Sequence, residues 1–327
     1  MLLVSETDVK TALTMDDVIE AVAEAYQDYA KKLIDVPPRI TMHVRGESGS
    51  AIFLTANYRS MPFYGIKQAS SFPRNINKGI NTVMSDIHLY SADTGEPLAM
   101  VSANHLTAMK TGAASAVATK FLARKGEPIL AIVGTGVQAR TQLAGIQRVR
   151  SLREVRVYDL DRQKAQDFLE YADSIRNTKY ALNLAHTANE CVRRADIVTT
   201  ATTSTTPVFS DDYISEGTHI NAVGSFTPYM QEIDSKTVVR AEKIVTDNQD
   251  EVWKVAGDLL VPLKQGKIAA SKLYAELGDI VMGRIPGREN EREITIYESV
   301  GFAALDIAVA VRAYERSLQL GVGRKVG

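Results

Sequence analysis

Ile129-Leu130-Ala131-Ile132-Val133 runs without a break into Gly134-Thr135-Gly136-Val137-Gln138-Ala139, and this junction limits the fold more than any other part of the 327-residue chain. Five consecutive apolar residues suit a strand buried on both faces, as in parallel sheets flanked by helices. The spacing Gly-x-Gly-x-x-Ala then has a mechanical meaning. Gly134 permits the tight turn, Gly136 lets backbone approach a pyrophosphate, and Ala139 lets the next helix pack closely with its N-terminal amides facing the phosphates. A second strand over 154–159 ends in an acid, Asp159, twenty residues beyond Ala139. That carboxylate is placed to accept hydrogen bonds from ribose hydroxyls and to repel a 2′-phosphate, so NAD(H) is expected ahead of NADP(H). Arg162 lies close enough in sequence to blunt the preference and leaves NADP(H) open.

The surrounding pattern supports this reading. Further short apolar runs at 197–201, 219–223 and Lys243–Thr246, with helical stretches between them, continue the strand–helix rhythm into a parallel sheet with crossover helices, and 294–297 is a candidate additional strand. Before this region the rhythm differs. Thr14 with Asp17 three residues on, followed by Val18, Val22, Tyr26 and Tyr29, predicts one amphipathic helix. After Pro37-Pro38 come alternating stretches at 39–44, 51–56, 63–69, 83–90 and 98–103, a mostly antiparallel β region. An Ala-rich helix over 105–124 leads out of it and ends near Gly126 and Pro128. Residues 302–320 carry Phe302, Leu305, Val309 and Tyr314 at near-helical spacing, and are expected to pack back on the first region.

Composition removes several functions. Lys and Arg total 38 against 39 Asp and Glu, for a net charge of −1, and no concentrated basic face of the kind that nucleic acid requires is visible. Cys191 is the only cysteine, so no intrachain disulfide or cysteine-based zinc site forms, and a reducing cytoplasm is the expected setting. The acidic start Met-Leu-Leu-Val-Ser-Glu-Thr-Asp does not resemble a signal peptide, and the apolar runs are far too short to span a membrane. The five histidines form no HExxH or close pair, and no GxSxG elbow is present, so neither metal nor serine hydrolase chemistry is expected. What remains are cations in the β region: Arg39 after the stiff Pro37-Pro38, Lys67 inside an apolar strand, and Lys110 in the Ala-rich helix. Fixed cations of this kind suit a small anionic substrate beside a nicotinamide.

Together, Pro38-Arg39, Gly65-Ile66-Lys67, Asn81-Thr82-Val83, the run from Leu106-Thr107 through Lys110-Thr111 to Ser115, the glycine loop 134–139, and Ser299-Val300-Gly301-Phe302 resemble the ornithine cyclodeaminase and mu-crystallin family. The resemblance implies an α/β chain in which a Rossmann domain, a doubly wound parallel sheet, is inserted in a second, mostly antiparallel α+β domain for substrate binding and dimerisation. The boundaries it suggests are 1–118, 119–305 and a returning C-terminal helix at 306–327. It further implies a homodimer, Lys67 as the catalytic lysine and Arg39 and Lys110 on the substrate carboxylate. The dinucleotide would be surrounded by Thr82, Thr111, Gly134, Thr135, Gly136, Val137, Gln138, Ala139, Asp159, Ala201, Thr202, Thr203, Val223, Gly224, Ser225 and Ser299.

Two departures stand out. Lys110 replaces the family's usual arginine, keeping the charge but losing the two-pronged fork. The aspartate and lysine that cyclodeaminases carry after their fifth strand fall on Phe226 and Met230, and Phe226 would instead form an apolar wall of the substrate pocket. The leading reading is therefore reduction of a small cyclic imino acid, pyrroline-2-carboxylate or piperideine-2-carboxylate, to proline or pipecolate. Alanine dehydrogenase comes second, ornithine cyclodeaminase third, and a non-catalytic ligand-binding protein last.

Overall fold

The computed structural model describes residues 1–45 and 49–327. The chain divides into two units, one made of Met1–Lys110 with Phe302–Gly327 and the other of Thr111–Gly301. The boundaries expected from the family resemblance are 118/119 and 305/306. The observed first break lies inside a helix whose small-residue composition does not change there, so nothing in the sequence marks it.

In chain order the first unit opens with β1 (Leu2–Val4), α1 (Glu6–Ala12), α2 (Met15–Ala30), β2 (Ile34–Asp35), β3 (Ile40–Val44), β4 (Gly49–Tyr58), β5 (Phe63–Ser71), β6 (Val83–Ser91) and β7 (Pro97–Ser102), then enters α3 (Asn104–Leu122). The second unit contains β8 (Ile129–Val133), α4 (Val137–Val149), β9 (Glu154–Tyr158), α5 (Arg162–Ser174), β10 (Ala181–Leu184), α6 (Ala188–Val192), β11 (Ile197–Thr200) and β12 (His219–Ala222). It continues with α7 (Ser235–Arg240), β13 (Lys243–Thr246), α8 (Gln249–Val255), α9 (Gly257–Lys264), β14 (Leu273–Glu276), α10 (Leu277–Val281) and β15 (Thr295–Glu298). The chain then returns to the first unit with α11 (Ala303–Leu320) and β16 (Arg324–Lys325).

The expected N-terminal helix is α2. The Thr14 hydroxyl accepts from Asp17 N at 3.2 Å while Asp17 accepts from Thr14 N at 2.9 Å, a reciprocal cap that satisfies two donors at once. The same pattern at Ser5 and Asp8 starts α1, which the sequence reading did not anticipate. Val18, Val22 and Tyr26 are fully buried on one side of α2. The first sheet has the order β16-β1-β7-β6-β5-β4-β2 with β3 on β4, and only the β1–β7 pair is parallel. The closing helix α11 packs in this unit, as expected. The Tyr58 hydroxyl donates to Ala304 O at 2.6 Å, Phe302 meets Tyr29 edge-on at 4.7 Å, and Arg312 bridges Glu20 and Glu24.

The second sheet has the order β10-β9-β8-β11-β12-β15-β13-β14, and every pairing in it is parallel. The strand order reverses between β8 and β11. Alternate residues of β8 face opposite layers: Ile129, Ala131 and Val133 meet α6 through Cys191 and Val192, whereas Leu130 and Ile132 meet α4 and α5 through Leu143, Ile146 and Phe168. Burial on both faces is what the unbroken apolar run required. The edge strands β10 and β14 were not foreseen. Each has only four residues and is partly exposed, which leaves little apolar signal.

Candidate active site

In the first unit the chemistry gathers on the strand β5 and the helix α11. Gly65 and Lys67 are two residues apart and lie on the same buried face of β5. A Cβ at Gly65 would sit 2.7 Å from Ile307 Cδ1 and 3.0 Å from His88 O, so glycine is what lets α11 approach this strand. The close approach brings Asp306, in the first turn of α11, to Lys67. Lys67 Nζ donates to Asp306 Oδ1 at 2.8 Å, and Lys110 Nζ lies 3.6 Å from the same oxygen. All three side chains are buried.

Two cations and one carboxylate leave the cluster with a net positive charge when all three are ionised. Burial lowers the Lys67 pKa; Asp306 opposes that fall, and Lys110 and Arg39 add to it. For Asp306 burial acts upward, but Lys110 and Lys67 together hold the carboxyl below its ordinary value. Half-buried Arg39, just before β3, is thus electrostatically part of this group. Lys67 and Lys110, both singled out from the sequence, share one oxygen of Asp306, while Arg39 acts on Lys67 through its charge, and Asp306 is the member that sequence reasoning missed. The only signal for it was an acid in an otherwise apolar helical run, Leu305-Asp306-Ile307-Ala308-Val309. Thr82 lies in the turn before β6, where its carbonyl accepts from Phe72 N at 2.8 Å.

In the second unit the expected nucleotide residues, Thr111 within α3 apart, lie at or just beyond the C-terminal ends of the parallel strands. Gly134 adopts φ +88°, and a Cβ there would come 2.7 Å from both Ala201 O and Thr202 Cγ2, so only glycine fits the turn. Gly136 is the N-cap of α4 and places no side chain on the first-turn amides. A Cβ at Gly136 would meet nothing within 4 Å. These free donors at the start of a 13-residue helix, with open space before them, suit the pyrophosphate of a dinucleotide. Val137 and Gln138 open the helix, and Ala139 is fully buried against the sheet.

Asp159 follows β9. Its Oδ2 accepts from Thr135 N at 2.8 Å and from Thr135 Oγ1 at 2.9 Å, and its Oδ1 accepts from Asp161 N at 2.9 Å. The carboxylate is therefore oriented by the loop itself. Helix α5 is capped by Asp161, not Asp159, which leaves further lone pairs of Asp159 for a ligand.

Ala201, Thr202 and Thr203 follow β11, and Val223, Gly224 and Ser225 follow β12. Thr111 accepts through its carbonyl from Gln142 of α4 at 3.2 Å, and the Ser299 hydroxyl donates to Asp247 at 2.9 Å. Phe226 follows β12 and is 51% exposed. Met230 is buried. Glu232 and Asp234, the nearest acids to the missing cyclodeaminase aspartate, are both engaged. Glu232 is completely buried on backbone donors, and Asp234 caps α7 by accepting from Lys236 N at 2.9 Å. His219 is also buried, between Thr295 and Asn221, and burial pushes its pKa down to about 3, so it is a neutral core residue.

Among the described residues no group of His, Cys, Asp and Glu side chains has the form of a metal site, and no helix is long and apolar enough to cross a membrane.

Known proteins are similar to this chain over its full length. The chain is 38% identical to a Delta(1)-pyrroline-2-carboxylate reductase of Bacillus cereus, over 100% of this chain and 99% of the relative. The solved Delta(1)-pyrroline-2-carboxylate reductase of Thermococcus litoralis, in complex with NADH and L-proline, is 38% identical, covers both chains fully and superposes with a TM-score of 0.95. An archaeal alanine dehydrogenase dimer with bound NAD is 34% identical, covering 100% of this chain and 99% of the other, with a TM-score of 0.94. The model of the ornithine cyclodeaminase/mu-crystallin family matches residues 1–320. The chain belongs to that family.

Proposed function

We propose that the protein is an NAD(H)-dependent reductase that converts a small cyclic imino acid, with pyrroline-2-carboxylate first, to the corresponding cyclic amino acid. The observation that carries this reading is the buried Lys67–Asp306–Lys110 cluster, in a chain alike over its full length to reductases of that substrate. Reduction of C=N adds a hydride to carbon and a proton to nitrogen. The nicotinamide, when bound, supplies the hydride, and the glycine loop 134–139 with Asp159 would hold the dinucleotide.

This chain's residues do the rest. Arg39 and Lys110 bind the substrate carboxylate, and the point charge of Lys110 neutralises it without fixing its plane. Lys67 donates the proton to the imine nitrogen. Its lowered pKa makes its ammonium a stronger acid than an exposed lysine, and Asp306 keeps that ammonium in one orientation. Asp306 also stabilises the charged form, so the proton is retained until the nitrogen takes it. We further propose a homodimer, as in the alanine dehydrogenase neighbour, working in a reducing cytoplasm that suits the lone buried thiol of Cys191.

The test is oxidation of NADH by the purified protein with pyrroline-2-carboxylate, piperideine-2-carboxylate, and pyruvate plus ammonia, beside proline formation from ornithine. Pyrroline-2-carboxylate is expected to give the highest kcat/KM, with no appreciable turnover of ornithine. Absence of NADH consumption with either imino acid, or ornithine conversion at a comparable rate, would sink the reading.

A further inference from the structure

Glu232 lies outside every nucleotide motif in the sequence, yet it ties together two of the loops that carry them. It is completely buried. Its Oε1 accepts from Thr202 N at 2.6 Å, and its Oε2 accepts from Gly224 N at 2.8 Å and from Thr200 Oγ1 at 2.9 Å. The packing is tight, since a Cβ at Gly224 would fall 2.5 Å from Glu232 Oε1 and 2.3 Å from Thr202 O. The backbone of Glu232 is itself held. Asp258 Oδ1, in the first turn of α9, accepts from Glu232 N at 2.7 Å and Ile233 N at 2.8 Å. One carboxylate thus fixes the exits of β11 and β12 relative to each other, and a second fixes the first.

The strand order gives this clamp a place in the cofactor site. The sheet reverses between β8 and β11, and in a doubly wound sheet the dinucleotide lies across such a switch point, one mononucleotide on each half. The glycine loop and Asp159 belong to the β8–β9 half, which takes the adenosine side. The β11 and β12 exits belong to the other half. We propose that Glu232 is a positioning residue for the nicotinamide half of the cofactor: by holding the Thr202 and Gly224 backbones at a fixed separation, it sets the floor on which the nicotinamide lies. The proposal rests on the NAD(H) reading above.

A carboxylate suits this task because three donors converge on it, two of them backbone N–H groups that cannot turn away. Glutamine offers one oxygen only, and its amide would face a backbone donor on the other side. Burial raises the Glu232 carboxyl, and the hydrogen bonds from Thr202, Thr200 and Gly224 oppose that rise.

The experiment compares Glu232→Gln and Thr200→Val with the wild-type chain in three measurements: NADH binding by fluorescence, ADP-ribose binding by calorimetry, and kcat with pyrroline-2-carboxylate. Since a buried donor left unsatisfied is expected to cost about 10- to 100-fold, Glu232→Gln should weaken NADH binding and lower kcat by that range. ADP-ribose, which lacks the nicotinamide, should bind within about twofold of wild type, and Thr200→Val should show the same split at roughly two- to fivefold. A merely structural role predicts otherwise. Equal losses for NADH and ADP-ribose, or no loss for either, would overturn the clamp, and if Glu232→Gln does not fold, Thr200→Val decides by the same criterion. Failure of the wild type to reduce pyrroline-2-carboxylate would refute the substrate assignment alone, since the two binding titrations need no substrate.

Discussion

One buried cluster of the first unit holds charges of both signs, whereas one buried cluster of the second unit, the central segment of the chain, holds acids together. In the first, Lys67 and Lys110 share one oxygen of Asp306. In the second, Glu232, Asp247, Asp258 and Glu298 gather around the C-terminal ends of β11, β12, β13 and β15, and all four are buried. Asp247 accepts from the Tyr297 and Ser299 hydroxyls. Glu298 has no hydrogen-bond partner for either oxygen among the described residues, and its pKa is raised well above the ordinary carboxyl value by burial, then by Asp258, Glu232 and Asp247. Charges of opposite sign offset their desolvation by mutual attraction and stay ionised, whereas like charges in the same low-dielectric surroundings are relieved by taking up protons. The first arrangement can hold an ammonium ready to give up a proton. The second raises the carboxyls of Asp258 and Glu298 most strongly, and supplies Glu232 with three donors that oppose its own rise.

The sharpest way to break this contrast is at Lys67. Lys67→Ala removes the proposed proton donor, and kcat with pyrroline-2-carboxylate is expected to fall by about 10²- to 10⁴-fold. NADH affinity should stay within about twofold, because the glycine loop and Asp159 belong to the other unit. Near-normal kcat in this variant would make Lys67 an ordinary strand lysine.

Asp306→Asn tests the compensation itself. It leaves two buried ammonium groups without their carboxylate, and breaking a buried pair from one side is expected to destabilise by about 3–5 kcal/mol. Urea unfolding of the variant measures this directly. A loss under about 1 kcal/mol, within the range of an exposed pair, would mean that Lys67 and Lys110 relax outward to water.

A smaller effect is expected at Asp159. Its carboxylate is held by Thr135 and would face the 2′-phosphate of NADPH, at a cost on the order of 1–3 kcal/mol in a partly desolvated pocket. The ratio of kcat/KM for NADH over NADPH should therefore be about 5- to 150-fold, and Asp159→Ser should bring it near unity. A strong NADPH preference in the wild type would assign control to Arg162, which is exposed in α5.

The sequence revealed the two units unequally. In the second sheet β8 is a continuous apolar run and β13 has an apolar centre, so both stand at the bounds read from sequence, and β15 is shifted by one residue from 294–297 to Thr295–Glu298. The turn at Gly134 and the open cap at Gly136 follow from residue type alone, because the first needs positive φ and the second needs bare amides. Asp306 and Glu232 were not legible in this way. Each acts across a long separation, Asp306 on Lys67 over 239 residues and Glu232 on Thr202 over 30, and no local pattern marks an acid whose partners arrive through tertiary packing.

The smallest expected effect concerns pH, and it separates the units by sign. Burial, and then the charge of Glu232, push the Asp258 carboxyl up to about 8, while in the unfolded chain it returns to the ordinary value near 3.8. Between those values the folded protein binds a proton that the unfolded chain does not. The Asp258 contribution to stability is then greatest at low pH and declines as pH rises to about 8, at up to about 1.4 kcal/mol per pH unit. Asp306 behaves in reverse: its lowered carboxyl contributes stability above 3.8 that is lost only as pH falls below that value, so it adds no slope near neutrality. Trp253, the only tryptophan, packs in the central unit, so its fluorescence reports unfolding there. Between pH 6 and 8 the Tm by this signal should fall by about 2–4 °C per pH unit. Asp258→Asn should flatten the slope, because its amide oxygen can still accept from Glu232 N and Ile233 N, while the atom it replaces, Oδ2, has no partner among the described residues. A Tm that holds steady or rises over this range in the wild type would show that the acids of the central unit are ionised at neutral pH, and the contrast between the two buried clusters would fail.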